Sequence, residues 1–180
     1  MVELMVVVAI LGITAALTVR GLTRDRVGED ARKVAAMMST AYRTATGGGP
    51  VRTDVSAASG LKWRAYIEFS ESSGQNIVAV YQLVEHTSDT GFDAVLVSSE
   101  ILSPDTIVYS VSSTPAIDPG TSTVTASNLS TSTVVDKYYF PDGTADAMTV
   151  FLKHRTNAAA THYRVLGMGL NPVPQTFQDW

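Results

Sequence analysis

The sequence begins with an apolar run that extends from Met1 to Val19 and contains a single ionisable side chain, that of Glu3. A helix of this length would reach roughly 28 Å at about 1.5 Å per residue, which is close to the thickness of the hydrocarbon core of a bilayer. The run is therefore long enough to cross a membrane, and it limits the chain to folds that can carry such a segment.

Glu3 lies near the start of this apolar run. A carboxylate at the centre of a bilayer costs about 2.5 to 3.5 kcal/mol on insertion scales, and the cost falls near the end of a segment, where the side chain can reach the interface. Two interpretations follow. Glu3 either reaches the interface without further consequence, or it pairs with a cation when the segment packs against copies or relatives of itself.

The residues from Val2 to Ile13 resemble the N-terminal methylation segment of type IV pilins and type II secretion pseudopilins. In that family the glutamate pairs with the free N-terminal amine of a neighbouring subunit and sets the register of the helices in the growing filament. The resemblance implies this assembly role for Glu3. It also implies a membrane-spanning role for the apolar residues of the segment, which are Met1, Val2, Leu4, Val8, Ile10, Leu11, Ile13, Leu17 and Val19.

The start of the chain departs from the family pattern. Family members carry a short basic leader that ends in Gly, usually followed by Phe and Thr, before the residue that aligns with Met1. We expect Met1 to be an internal methionine of a longer precursor; a product without a leader is the alternative. A cleaved signal peptide is disfavoured, because the apolar run has no basic residues before it and is longer than the usual apolar region of about 7 to 15 residues.

Helical periodicity continues beyond the apolar run. Apolar residues recur at helical spacings from Leu22 to Ala45, and charged residues such as Asp30 and Arg43 take much of the other face. A glycine cluster and Pro50 then end the pattern, because proline cannot continue a helix. This predicts one long helix over residues 1–46, with 1–19 in the membrane and 20–46 amphipathic, followed by a linker over 47–60.

Alternating patterns after residue 60 predict an antiparallel, mostly β head over residues 61–180. A Ser- and Thr-rich segment, 114–133, is predicted to be an exposed loop within it. The predicted fold class is α+β: a long N-terminal membrane-spanning and amphipathic helix followed by an antiparallel β-sheet head. The candidate strands are Leu61–Phe69, Asn76–Val84, Ala94–Leu102, Thr106–Ser112, Val134–Phe140, Met148–His154 and His162–Leu166.

The C-terminal part of the sequence contains the run YYFPDG at residues 138–143, followed by MTVFL at 148–152 and HYRVLGMG at 162–169. This order is similar to the closing pattern of the GspH and FimT group of minor pseudopilins and pilins. In that group an aromatic-Pro-x-Gly turn precedes a hairpin, and the last strand ends in a turn that contains glycine. The resemblance assigns this pattern to Phe140, Pro141, Gly143 and Gly167, although Phe-Pro-Asp-Gly is also a general turn signal.

Residue types that carry catalytic or metal chemistry are sparse. The chain has no cysteine, so it has no thiolate nucleophile and no cysteine-based zinc site. The three histidines, His86, His154 and His162, lack the spacing of a zinc site. We therefore predict no catalytic residues, no metal site and no cofactor, and we expect the protein not to be an enzyme.

Calcium and nucleic acid are also disfavoured as ligands. Three aspartates surround the Phe140 turn: Asp136, Asp142 and Asp146. They are more spread out than a calcium loop requires, so turn formation explains them better. The formal net charge is −4, which lacks the basic character that binding to phosphates demands. The tail that ends in Phe177 and Trp180 is expected to dock on its own domain, with contact to a neighbouring subunit as the alternative.

These features predict a structural minor pseudopilin or pilin subunit of a type II secretion pseudopilus or a type IV pilus. The alternative is a FimT-like component of DNA uptake or adhesion that acts through its head. The resemblance implies four kinds of partner: other pseudopilins or pilins, the prepilin peptidase acting on the precursor, an inner-membrane assembly platform and membrane lipid. The expected location is the bacterial inner membrane, crossed once, with the C-terminal head in the periplasm.

Overall fold

A computed structural model of the chain describes residues 25–48, 52–53, 62–85, 92–113, 134–157 and 159–178. These residues form one helix, α1 (Arg26–Thr46), and ten strands. The strands are β1 (Arg52–Thr53), β2 (Lys62–Trp63), β3 (Ala65–Ser72), β4 (Gln75–Glu85), β5 (Phe92–Ile101), β6 (Thr106–Ser112), β7 (Val135–Tyr139), β8 (Met148–His154), β9 (Tyr163–Met168) and β10 (Asn171–Gln178).

Eight of these strands form two four-stranded antiparallel sheets. The first sheet has the strand order β5-β4-β3-β7, and the second has the order β10-β9-β8-β6. Strands β1 and β2 form a separate antiparallel pair. The chain changes sheet after β5, after β6 and after β7, so neither sheet is formed by one continuous stretch of sequence.

One hydrophobic core joins α1 to both sheets. The helix buries an apolar stripe that includes Val34, Met38 and Ala41, each at most 1% exposed. Burial alternates along β3, where Ile67 and Phe69 face this core. The predicted apolar face of the helix is thereby confirmed for the described residues, and removal of these side chains from water is the main contribution that holds the helix on the sheets.

The helix begins at Arg26, within the segment that periodicity predicted to be one continuous helix. Asp25 has a non-helical ψ of 82°, and its Oδ1 accepts a hydrogen bond of 3.0 Å from the backbone N–H of Gly28. This is the geometry of an N-cap, in which a short acceptor side chain satisfies a backbone donor in the first turn. Tyr163 Oη also donates to the Asp25 carboxylate, which ties the start of the helix to β9.

The predicted α+β architecture with a long N-terminal helix is therefore wrong. The described part of the chain is mostly antiparallel β-sheet, and its single helix has 21 residues and lies in the same core as the sheets. Within the described residues, no helix combines the length with the apolar composition that crossing a bilayer requires. The predicted span, Met1–Val19, lies outside the described residues.

Each of the seven predicted strands overlaps an observed one, and Thr106–Ser112 and Met148–His154 agree at both ends. Strand β10 was not predicted, because prolines 172 and 174 led to the interpretation of this segment as a tail. The structure places β10 at an edge of the second sheet, which is where proline is tolerated, since an edge strand leaves some of its N–H positions unpaired. The predicted loop, 114–133, lies outside the described residues.

A buried carboxylate links α1 to the connection between β5 and β6. Asp30 is only 2% exposed, which contradicts its predicted place on the polar face of the helix. Its Oδ2 accepts a hydrogen bond of 2.9 Å from the backbone N–H of Ser103, and its Oδ1 lies 3.2 Å from Lys33 Nζ. The carboxylate is tolerated inside because both oxygens have partners.

Candidate interaction surface

The first sheet presents one face to α1 and the opposite face away from it. Side chains alternate along a strand, so Tyr66 and Glu68 point away from the side that buries Ile67 and Phe69. Cross-strand register then aligns two rows on this second face, which we call the outer face. The tyrosine row is Tyr138, Tyr66, Tyr81 and Leu96, and the acidic row is Asp136, Glu68, Ala79 and Ser99.

The rings of the tyrosine row contact one another and the indole of Trp63. Tyr66 stacks on Tyr81 with ring centroids 4.9 Å apart and an interplanar angle of 12°. Trp63 meets Tyr66 edge-on at 5.5 Å and lies 5.0 Å from Tyr138. Trp63 is 4% exposed, whereas the three tyrosines are half-buried. Ring–ring contacts hold these side chains in place, so the aromatic surface is preorganised. It remains accessible because the three tyrosines are only partly buried.

Two carboxylates lie opposite each other in the acidic row. Glu68 on β3 is the register partner of Asp136 on β7. Burial and the charge of Asp136 raise the pKa of Glu68, and burial raises the pKa of Asp136. Burial and the same two carboxylates raise the pKa of Tyr66 to about 12. Among the described residues no lysine or arginine forms an ion pair with either carboxylate, so no cation in this part of the structure pairs with the negative charge of the row.

Aliphatic side chains extend the outer face toward the edge of the sheet. Leu96 and Ile101 on β5 are 51% and 56% exposed. Strand β5 is the last strand of its sheet, so one side of its backbone has no neighbouring strand in the described structure. Exposed apolar residues next to tyrosines and charges are typical of protein contact surfaces.

The exposed face of α1 carries positive charge. The side of α1 that faces away from the core exposes Arg32, Ala36 and Arg43. The two other cations of the helix are engaged nearby, because Arg26 pairs with Asp105 and Lys33 with Asp30. Arg43 donates only a long hydrogen bond, 3.4 Å, to a backbone carbonyl of its own helix. The acidic outer face and this basic helix face are thus two separate surfaces of the described structure.

The sequence-predicted assembly residues have no described position. Glu3 and the apolar residues Met1, Val2, Leu4, Val8, Ile10, Leu11, Ile13, Leu17 and Val19 lie outside the described residues. Their assignment remains a prediction that rests on the resemblance.

The predicted C-terminal turn does form, and it packs on the helix. Gly143 has a φ of +84°, and a Cβ at this residue would lie 3.2 Å from Tyr42 Oη. A Cβ on Gly167 would lie 3.4 Å from Met148 Cγ and 3.6 Å from Met38 Sδ. The structure therefore brings two of the four predicted turn residues against α1. Pro141 lies in the turn, and Phe140 is buried beside Trp63 and Leu83.

The aspartates near this turn form backbone contacts. Asp142 Oδ1 accepts hydrogen bonds from the backbone N–H and the hydroxyl of Thr144, and these bonds lower the pKa of Asp142. Asp146 Oδ2 accepts from the backbone N–H of Tyr138. Turn formation is confirmed as the role of Asp142, and Asp136 instead belongs to the outer face. In the described ranges, no group of three or more His, Cys, Asp or Glu residues could hold a metal ion.

The remaining predicted residues have ordinary surroundings where they are described. His154 Nδ1 accepts hydrogen bonds from the backbone N–H groups of Thr156 and Asn157. Phe177 lies in β10 of the second sheet as the register partner of Arg164, and the Arg164 guanidinium is 4.9 Å from the centroid of its ring. Docking of the tail is thus confirmed for Phe177. His86 and Trp180 lie outside the described residues.

Sequence reasoning missed the outer face. The alternation along β3 was used to find its buried side, and the residues between, Tyr66 and Glu68, were left without a role. The available signal was a tyrosine on the solvent side of a predicted strand, repeated in β4 and β7 by Tyr81 and Tyr138. Their convergence could not be predicted, because it depends on which strands are neighbours and in what register.

The Glu68→Gln variant is expected to be more stable than the parent chain at pH 7 by about 0.5 kcal/mol. Like charges directly opposite each other on neighbouring strands are destabilising, and solvent screening keeps the effect small. Because the pKa of Glu68 is raised above its ordinary value of 4.5, ionisation of Glu68 opposes folding. The gain should therefore shrink as pH falls through the carboxyl range. Urea unfolding measured between pH 4 and 7 checks both points.

Glu100→Gln is the matched control for this experiment. Glu100 is exposed on the same sheet but pairs with the core-facing Val78, so its side chain lies on the other face. It should leave the free energy of unfolding unchanged within error. A loss of stability in Glu68→Gln at pH 7 would contradict the repulsion between Glu68 and Asp136.

Comparison with protein-family models, with curated proteins and with solved structures gives no match.

Proposed function

We propose that this protein is a structural subunit of a pilin-like filament, a minor pseudopilin or pilin of a type II secretion pseudopilus or a type IV pilus. The observation that carries this proposal is the position of Glu3 inside the apolar run Met1–Val19. A carboxylate in an otherwise apolar segment requires a partner, and intramembrane acidic residues are functional more often than not. The function is assembly rather than turnover.

The surfaces of the described domain support this proposal. An outer face with partly exposed tyrosines, exposed Leu96 and two carboxylates has the composition of a protein contact surface. Helix α1 uses its apolar stripe for the core of its own domain, so the domain keeps its fold while both the outer face and the helix face remain accessible. A subunit that contacts neighbours on two sides needs this arrangement.

The proposed location and partners follow from the same segment. The apolar run inserts into the bacterial inner membrane and the C-terminal domain lies in the periplasm. The prepilin peptidase acts on the precursor, and sister pseudopilins or pilins and the assembly platform are the partners of the mature subunit. Cell fractionation and protease accessibility of the C-terminal domain test this location.

Glu3→Leu, in a version supplied with a prepilin leader, is expected to abolish co-purification with the partner subunits while leaving membrane insertion intact. The change removes the carboxylate and keeps the segment apolar, so insertion becomes no less favourable. The measurement is chemical cross-linking of membranes followed by affinity purification, with the membrane fraction analysed in parallel.

Val6→Leu is the control, since it changes an apolar residue of the same segment without altering charge. It should assemble like the parent chain. Unchanged assembly of Glu3→Leu would refute the role proposed for Glu3, whereas loss of Glu3→Leu from the membrane would show that its effect is on insertion and not on registration.

A further inference from the structure

The outer face has features of a contact surface for which the described residues supply no occupant. Glu68 and Asp136 lie side by side without an ion-pair partner among the described residues. Half-buried tyrosines lie in the neighbouring row, and Leu96 and Ile101 are more than half exposed. A partner that matches this surface would place a cation against the two carboxylates and a small or apolar side chain against the neighbouring tyrosines and aliphatic residues.

The exposed face of α1 has this chemistry. Arg43 and Arg32 are exposed cations, and Ala36 between them is small enough to allow a close approach. An arginine guanidinium can donate to two carboxylates at once and can stack on a tyrosine ring. Both halves of a complementary contact are therefore present on one chain, on two separate surfaces.

The spacing of the two surfaces also agrees. Ala36 and Arg43 are seven positions apart on one helix, which corresponds to about 10.5 Å. Ser99 on β5 and Glu68 on β3 belong to one register row and are separated by two strand spacings, or about 9.6 Å. A helix laid across the strands can thus place Arg43 over the carboxylates of Glu68 and Asp136 and Ala36 over Ser99.

We propose that the outer face of the first sheet binds the exposed face of α1 of a second copy of this chain, with Arg43 of one copy between Glu68 and Asp136 of the next. The two surfaces differ and belong to separate elements of the molecule, so a contact in which the helix face of one copy meets the sheet face of the next is heterologous. Heterologous contacts repeat from copy to copy and generate open filaments or closed rings. The inference builds on the filament role proposed above and specifies one contact within it.

Disulfide cross-linking between two differently marked full chains tests this contact. The chain has no cysteine of its own, so each introduced cysteine is unique. One preparation carries Ala36→Cys and the other Ser99→Cys; both are purified in mild detergent, mixed and oxidised. We expect the mixture to form a disulfide-linked dimer at least tenfold faster than either preparation alone, because a disulfide requires Cα atoms within about 7 Å.

Charge reversal makes the test specific. Arg43→Glu on the Ala36→Cys chain should lower the cross-linking rate at least fivefold, and Glu68→Arg on the Ser99→Cys chain should restore it. Glu100→Arg is the matched control, because Glu100 is exposed on the same sheet but on its other face, and it should change the rate less than twofold. Urea unfolding verifies that every variant is folded.

Two results would overturn the inference: equal cross-linking in the mixture and in the separate preparations, or a loss with Arg43→Glu that Glu68→Arg does not restore. The mixture contains no partner subunit and leaves Glu3 unchanged. Failure here with a positive Glu3→Leu result would refute this contact and leave the filament role in place. The converse pattern would refute the role of Glu3 and support the contact.

Discussion

Asp30→Ala is expected to lower the free energy of unfolding by about 3 kcal/mol, the largest single effect among the substitutions considered. The carboxylate is 2% exposed and holds the backbone N–H of Ser103 at 2.9 Å and Lys33 Nζ at 3.2 Å. Truncation removes the hydrogen bond from the Ser103 N–H to a charged acceptor and leaves this partly buried donor unsatisfied, which costs about 1 to 3 kcal/mol. Loss of the Lys33 contact adds a smaller amount. Urea unfolding followed by tryptophan fluorescence measures the change, with Trp63 as a buried reporter.

Asp30→Asn separates the two contributions. The amide keeps an acceptor for the Ser103 N–H but carries no charge for Lys33, whose side chain is 41% exposed. Exposed ion pairs contribute little, so we expect Asp30→Asn to cost less than about 1 kcal/mol. Equal losses in the Ala and Asn variants would show that the ion pair, and not the bond to Ser103, anchors the connection between β5 and β6.

The strands were predictable because their signal is local. Alternation of apolar and polar residues specifies which side of β3 is buried, and Ile67 and Phe69 follow that rule with 0% exposure. The ends of β6 and β8 coincide with the ends of the alternating or apolar runs in the sequence, so both strands were predicted with the observed bounds. The local pattern does not specify the pairing order β5-β4-β3-β7, since that order depends on contacts between distant segments.

The start of the helix was mispredicted because two local signals compete. Apolar spacing continues through residues 20–46 and favours a single helix, whereas Asp25 accepts from the N–H of Gly28 and caps a helix that begins at Arg26. Tyr163, distant in sequence, donates to the same carboxylate, and this contact is not visible in the local pattern. Asp30 was misplaced for a similar reason, because its partner Ser103 lies beyond five intervening strands.

The outer face illustrates what only the fold reveals about function. Glu68 and Asp136 are unremarkable in sequence and become neighbours when β7 joins β3. Their repulsion slightly destabilises the domain, and binding of a cation would remove it. The contact proposed for Arg43 would relieve this repulsion when the surface is occupied. It would also favour a cationic partner over others, because complementary charges contribute to specificity.

Gly28→Ala is expected to lower the free energy of unfolding by about 2 kcal/mol, although alanine is the better helix former. The intrinsic preference for alanine favours the variant by about 1 kcal/mol. Against this, a Cβ at residue 28 would lie 2.7 Å from Asp25 Oδ2 and 2.9 Å from the ring of Tyr163. Overpacking costs about 1 to 3 kcal/mol, and loss of the N-cap costs about 1 kcal/mol more. Steric exclusion should therefore outweigh propensity.

The same substitution in a Tyr163→Leu background shows whether the crowding comes from the tyrosine. Removing the ring relieves one of the two close contacts, so Gly28→Ala should cost at least 1 kcal/mol less there, measured by urea unfolding of the four chains of the cycle. Ala36→Gly, on the exposed side of α1, reports the propensity difference alone. The contrary outcome is that Gly28→Ala raises the free energy of unfolding by as much as Ala36→Gly lowers it. Helix propensity alone would then account for residue 28, and the N-cap at Asp25 would not explain why the helix starts at Arg26.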